Sequence, residues 1–272
     1  MKRLSPFNIT ALTLGFAFLY LPMILLVIYS FNESKLVTVW AGFSTKWYGE
    51  LLRDQAFLDA AVVTIKVAVL SSTLATVLGT MAAYVLVNGG RFMGRTVFSG
   101  MIYAPLVMPE VITGLSLLLL FIGIGLDRGV LTIVLAHTTF AMCYVSVVVS
   151  SRLVSFDRSL EEAALDLGCN RFDAFRLVTL PIIAPAVISG WLLAFTLSLD
   201  DLVIASFVSG PSSTTLPIKI WSSVRLGVSP EINALSTMMI GIVTIGVISA
   251  SLISKRNSVR AQKDAQAAER SA

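Results

Sequence analysis

AAVVTIKVAVLSSTLATVLGTMAAYVLV, residues 60–87, carries a single charge, Lys66, from end to end. As a helix rising about 1.5 Å per residue it reaches some 40 Å, more than the roughly 30 Å of a bilayer's hydrocarbon core, which about 20 apolar residues cross. It is too long for a strand, and a closed β-barrel would instead show segments of about 10 residues with alternating polarity. Working outward, five more windows of this kind appear, at Ile9–Ser30, Val97–Ile122, Val130–Val149, Ala184–Phe207 and Ile232–Ile253. Several are apolar on every face, as helices surrounded by lipid or by other helices are. The fold class these windows predict is an all-α membrane protein with six transmembrane helices.

Composition agrees: 56% of the 272 residues are hydrophobic and only 13% charged, outside the range of soluble domains. The first window follows Met1, Lys2 and Arg3, but its apolar run exceeds the roughly 7–15 residues of a secretory signal core and no A-x-A-like site follows, so it is read as a spanning helix. The net charge of +4 does not indicate nucleic acid, because in such a protein the placement of the charges matters more than their sum. With six spans both termini share one side. That side holds Lys2, Arg3, Arg91, Arg95, Arg152, Arg158, Arg171, Arg176, Lys255, Arg256, Arg260, Lys263 and Arg270, 13 positive charges against 6 (Lys35, Lys46, Arg53, Arg128, Lys219, Arg225). The positive-inside rule makes both termini cytoplasmic. Lys66, near the outer end of its span, is expected to snorkel.

The chain divides accordingly: a first transmembrane helix at 1–30, a periplasmic loop at 31–58 with Trp40, Trp47 and Tyr48 at headgroup level, a transmembrane core at 59–254 and a polar cytoplasmic tail at 255–272 read as solvated.

Enzymatic chemistry finds no support. Gly89-Gly90-Arg91-Phe92-Met93-Gly94-Arg95-Thr96 imitates a phosphate-binding loop, but Arg95 replaces the lysine and no strand precedes it. His137 is the lone histidine, inside the fourth window, where a helix–helix hydrogen bond is the ordinary explanation. Cys143 and Cys169 have no metal-ligand spacing, so no metal site is expected.

The decisive loop is 157–181, DRSLEEAALDLGCNRFDAFRLVTLP. It reads as two short helices. Asp157 caps the first, with Glu161 and Glu162 near its positive end, and Gly168 supplies a left-handed stop. Asn170 caps the second, with Asp173 three residues on, and Pro181 leads into the next span. The first helix offers a small Ala163–Ala164 face flanked by acids.

Glu162-Ala163-Ala164, three residues, Gly168, nine residues and then Val178-Thr179-Leu180-Pro181 resemble the EAA loop, E-A-A-x3-G-x9-I-x-L-P, of permease subunits of binding-protein-dependent ABC importers. Val178 for isoleucine is the one departure, a volume-conserving exchange. The resemblance implies a type I importer permease fold that binds no cofactor. It places ATP and Mg on a partner ATPase and makes Glu161, Glu162, Ala163, Ala164, Asp166, Gly168 and Pro181 the coupling surface for that ATPase.

A second constellation is acidic and lies at membrane depth: Glu110 after Pro109, and Asp200-Asp201. A carboxylate there costs at least about 2.5–3.5 kcal/mol on insertion scales and usually faces an aqueous path or a partner. Pro105 and Pro109 remove backbone donors in the same region, which is tolerated where backbone lines a cavity. Glu110, Asp200 and Asp201 are therefore the candidate path residues for a cation. Of the two aspartates, which point about 100° apart on a helix, one is expected to face the path while the other caps the fifth helix or pairs with Arg225.

Ser198-Leu199-Asp200-Asp201, Val208-Ser209-Gly210-Pro211 through Pro217, and Met108-Pro109-Glu110-Val111-Ile112 are similar to permeases of putrescine and spermidine importers, nearest to the second, putrescine-type subunit. That resemblance implies a bacterial inner-membrane location and a heterodimer with a different permease. It also implies two cytoplasmic ATPase subunits and a periplasmic polyamine-binding protein. Two other readings stand beside it: a permease for a different solute (an amino-acid derivative, an iron complex or a phosphonate), and an ion-coupled secondary carrier using the acids as proton sites, for which no inverted repeat is visible.

Overall fold

The computed structural model describes residues 5–36, 39–227, 230–242 and 244–245. Lys2, Arg3, the tail at 255–272 and the end of the expected sixth helix lie outside them. Among the described residues the β structure is one antiparallel bridge, Asn32–Phe43.

Two compact units are distinguished. In one, α1 (Pro6–Tyr29) buries no residue, with Phe7 and Phe18 about four-fifths exposed, as a helix meant for lipid or another chain would be. The loop after it closes on Asn32, whose carboxamide donates to Val39 O and accepts from Ala41 N and Ser34 N. The Trp47 indole, on α2 (Lys46–Leu51), donates to Asn32 O at 2.6 Å. Trp47, expected at headgroup level, is instead 2% exposed and forms the core of this loop, because its N–H has a buried acceptor to satisfy. Residues 230–242 of the same unit are helical.

The other unit starts with α3 (Gln55–Asn88), a 34-residue helix that extends the opening stretch at its N-terminal end. A short turn leads to α4 (Arg95–Val107); in it Arg95 donates to Leu86 O and Gly90 O, so the phosphate-loop look-alike is a helix terminus held by its own arginine. α4 and α5 (Glu110–Gly123) meet at an angle of 118°. The third window, expected as one span, is thus broken. Pro109 cannot donate to the preceding turn, and Met108 before it is extended at φ −81°, ψ 137°, as a residue before proline prefers.

α6 (Val130–Val154) is the most buried helix of the unit and packs against α4, α5, α9 (Leu180–Asp200) and α10 (Val203–Val208). The α6–α9 seam is an i, i+4 stripe. Ala141, Val145, Val149 and Leu153 of α6 meet Ile183 and Ala194 of α9, the small–large alternation that lets antiparallel helices interlock. Between them lie α7 (Ser159–Asp166), α8 (Arg171–Ala174) and a π-helical turn at Phe175–Thr179 that runs directly into α9. The wide turn precedes Pro181, whose missing N–H and bulky ring an ordinary α-turn would not accommodate. The fifth window is also broken: α9 ends at Asp200, and residues 203–208 form a separate helix. α11 (Leu216–Leu226) follows.

Among the described residues, four helical stretches, 6–29, 55–88, 130–154 and 171–200, are long and apolar enough to cross a membrane, and the bent α4–α5 pair makes a fifth if it crosses as one. The sixth expected span begins within helix 230–242 and runs beyond the described residues.

Candidate functional site

The loop at 157–181 folds by local rules. Asp157 Oδ1 accepts the Ser159 N–H at 3.0 Å and starts α7; donation from the Ser159 hydroxyl and then from its backbone holds the Asp157 carboxyl below the usual aspartate range. Gly168, at φ +93°, ends the helix: Gly168 N donates to Leu165 O and Cys169 N to Ala164 O, the paired bonds of a Schellman stop. Asn170 accepts from Asp173 N at 2.9 Å and donates to the Asp173 carboxylate at 2.6 Å, a reciprocal cap that opens α8.

What faces outward differs from expectation in two places. Ala164 is buried, 8% exposed, while Ala163 is open. Residues one apart on a helix point about 100° away from each other, so the two alanines do not share a face. Glu161 is turned inward: the Tyr84 hydroxyl donates to its Oε1 at 2.7 Å and the Thr179 hydroxyl to its Oε2 at 3.2 Å. It ties α7 to the end of α3 and to the π turn. Arg158 donates to Val87 O at 2.9 Å and adds a second tie to α3. Glu162, Asp166, Gly168 and Pro181 are exposed, and Leu167 and Phe172 stand 87% and 69% exposed beside them. A cleft of about 840 Å³, with Tyr84, Arg158, Glu161, Glu162, Arg171 and Phe172 among its walls, opens alongside.

The candidate path acids occupy the two breaks. Glu110 is the first residue of α5 and exposed, within electrostatic reach of Tyr144 on α6. Asp200 is the last residue of α9 and also exposed. A Cβ on Gly114 would come within 3.3 Å of Ile204 Cα, so α5 and α10 touch backbone to backbone, and each acid lies four residues before this contact.

Asp201 is placed differently. Its side chain is 10% exposed and accepts the Ala205 N–H at 2.7 Å, the Ile204 N–H at 3.3 Å and His137 Nε2 at 3.0 Å. It caps α10 rather than α9, and its partner is the buried imidazole of α6. His137 Nδ1 lies 2.7 Å from Ser198 Oγ, to which Ser71 of α3 donates at 3.0 Å. The helix–helix role expected of His137 is therefore present. Sequence alone does not single out Ser198, its partner, or Ser71, which donates to Ser198, because each window holds several hydroxyls of equal standing. Among the described residues no cluster of ligands suited to a metal occurs.

With this geometry in hand, comparison with known proteins places the chain. The family described as "Binding-protein-dependent transport system inner membrane component" matches residues 75–262. The putrescine transport system permease protein PotI of Escherichia coli K12 is 60% identical over 98% of this chain and 97% of its own length. The spermidine/putrescine transport system permease protein PotC of the same organism is 43% identical over 90% and 92%. Among solved structures, a bacterial ABC transporter that imports the acidic polysaccharide alginate superposes with a TM-score of 0.70 at 18% identity, covering 93% of this chain and 99% of that one. The inward-facing MetNI methionine ABC transporter gives 0.58 at 14% identity, covering 77% and 95%. The chain belongs to the binding-protein-dependent transport system inner membrane component family, and is a multi-pass, non-catalytic ABC importer permease subunit of the all-α type I fold.

Proposed function

We propose that this chain forms half of the translocation path of an ATP-driven putrescine importer, with a different permease as the other half. Two cytoplasmic ATPase subunits that hold ATP and Mg and a periplasmic polyamine-binding protein complete the assembly. The observation that carries the reading is the pair of exposed carboxylates, Glu110 and Asp200, at helix breaks within apolar segments of a chain 60% identical to a putrescine permease. A diammonium ion leaving water needs fixed negative charge in return. We assign path contact to Asp200 and Glu110, and a supporting role to Asp201.

Coupling runs through 157–181. Glu162, Ala163, Asp166 and Gly168, with the exposed Leu167 and Phe172, form the surface that meets the ATPase, while Glu161, Ala164 and Pro181 keep the loop rigid. Rigid-body movement of such an element swings α6 and α9, between which it lies. Both termini and this loop then face the cytoplasm and residues 31–58 the periplasm, in keeping with the distribution of positive charge.

The test is uptake of radiolabelled putrescine by cells carrying the whole complex. Asp200→Asn and Glu110→Gln keep volume and remove charge; each is expected to reduce uptake at normal membrane abundance, Asp200→Asn by about tenfold or more. Undiminished uptake in both overturns the cation path.

A further inference from the structure

With a neutral imidazole, the hydrogen bonds at the break after α9 form one continuous chain. The Ser71 hydroxyl donates to Ser198 Oγ at 3.0 Å, its other acceptor, Ala68 O, lying farther away at 3.4 Å. Ser198 then has its own proton to give, and His137 Nδ1 stands 2.7 Å away to receive it. An imidazole that accepts at Nδ1 carries its proton on Nε2, and Nε2 lies 3.0 Å from Asp201 Oδ2. The chain of donors runs in one direction, from α3 through α9 and α6 to the carboxylate that also accepts the Ile204 and Ala205 N–H groups of α10. Every proton has an acceptor, and four helices meet at one buried point; the side chain of His137 is 3% exposed, and Ser71 is fully buried.

We propose that His137 is a positioning residue for transport: through Ser198 and Asp201 it sets where α9 stops, and so holds Asp200 toward the passing cation. Asp200 is the last residue of α9, Asp201 leaves the helix at φ −65°, ψ 121°, and the direction of the Asp200 side chain follows from where that departure occurs. Three donors on Asp201 fix the departure, and His137 is the one that arrives from another spanning helix. α6 and α9 are also the two helices that flank the loop at 157–181. His137 is 17 residues from the end of α6 and Ser198 is 18 from the start of α9, so about 25 Å of paired helix separates the clamp from the loop. The clamp therefore keeps the far end of the α6–α9 pair in register while its near end is moved.

The proposal rests on Asp200 serving as a path residue, and the experiment separates the two. The complete complex with its binding protein is reconstituted in liposomes, and putrescine delivered per ATP hydrolysed is measured, a ratio that lower abundance does not change. His137→Ala is expected to lower it about tenfold. His137→Gln keeps an N–H donor at the Nε2 position and is expected within about threefold of the original, whereas His137→Asn, which reaches Ser198 but not Asp201, behaves like His137→Ala. Combined with Asp200→Asn, His137→Ala adds no further loss, since both act on one contact. A normal ratio for His137→Ala alongside a reduced one for Asp200→Asn overturns the clamp and leaves the path intact. A normal ratio for Asp200→Asn takes Asp200 out of the path and overturns the clamp with it, leaving the wider path reading to Glu110→Gln. Should His137→Ala not assemble, Ser198→Ala carries the test: an unchanged ratio overturns the proposal, and a several-fold drop supports it.

Discussion

The loop at 157–181 and the break after Asp200 both separate apolar helices, yet the turns of the first are set by sequence neighbours and the second draws on distant helices. In the loop, each turn is made by neighbours in sequence: Asp157 with Ser159, Gly168 with Leu165, Asn170 with Asp173. At the break, Asp201 is held by His137, 64 residues away, and Ser198 by Ser71, 127 residues away. A locally built element keeps its shape while it is pushed by a partner. A break built from distant helices changes only when those helices move relative to one another, which suits a lever end and a path respectively.

The comparison breaks most readily at Gly168. Valine at φ +93° is strained by at least about 1–2 kcal/mol in a turn made by local geometry. Gly168→Val is expected to leave the protein inserted in the membrane and to abolish stimulation of ATP hydrolysis by the loaded binding protein. Normal stimulation would mean that the loop's local geometry is not what transmits force.

An effect on stability rather than on coupling sharpens the contrast between the caps. Asp201→Ala removes one end of a buried network and leaves donors unmatched, at about 2–3 kcal/mol, while Asn170→Ala removes a local cap worth about 1 kcal/mol. Thermal unfolding of the detergent-solubilised complex should therefore shift clearly for the first and little for the second. Equal shifts would show that the two caps carry the same structural weight.

The smallest effect concerns pH. The Asp157 carboxyl titrates below the ordinary aspartate value because the Ser159 hydroxyl and backbone N–H donate to its charged form. A folded-state value below the unfolded one contributes stability that is fully present above the unfolded value and is lost as pH falls through the folded one. The start of α7 should thus be insensitive to pH near neutrality and loosen only in acid. Ser159→Ala should move the Asp157 titration, followed by carboxyl-carbon NMR, back up toward the ordinary value; no movement would mean that the cap is absent in solution.

Much of this was legible in the residues. Lengths of apolar sequence announced the membrane helices, because the bilayer core imposes a minimum on each one. Asp157, Gly168, Asn170 and the spacing from Glu162 to Pro181 announced the loop, because caps and left-handed turns depend on residues three to five apart. Pro109 announced trouble in the third window, although not a bend of 118°. What sequence alone left open was which of two neighbours faces which way. Asp200 and Asp201 are the same residue type one position apart, as are Glu161 and Glu162, and Ala163 and Ala164. Only the arrival of His137 from α6, and of Tyr84 from α3, decides that Asp201 and Glu161 turn inward while Asp200 and Glu162 remain open. Local rules act over a helical turn and select the element; a buried hydrogen-bond partner is supplied by packing between distant segments, so the orientation of each side chain was settled only when the helices came together.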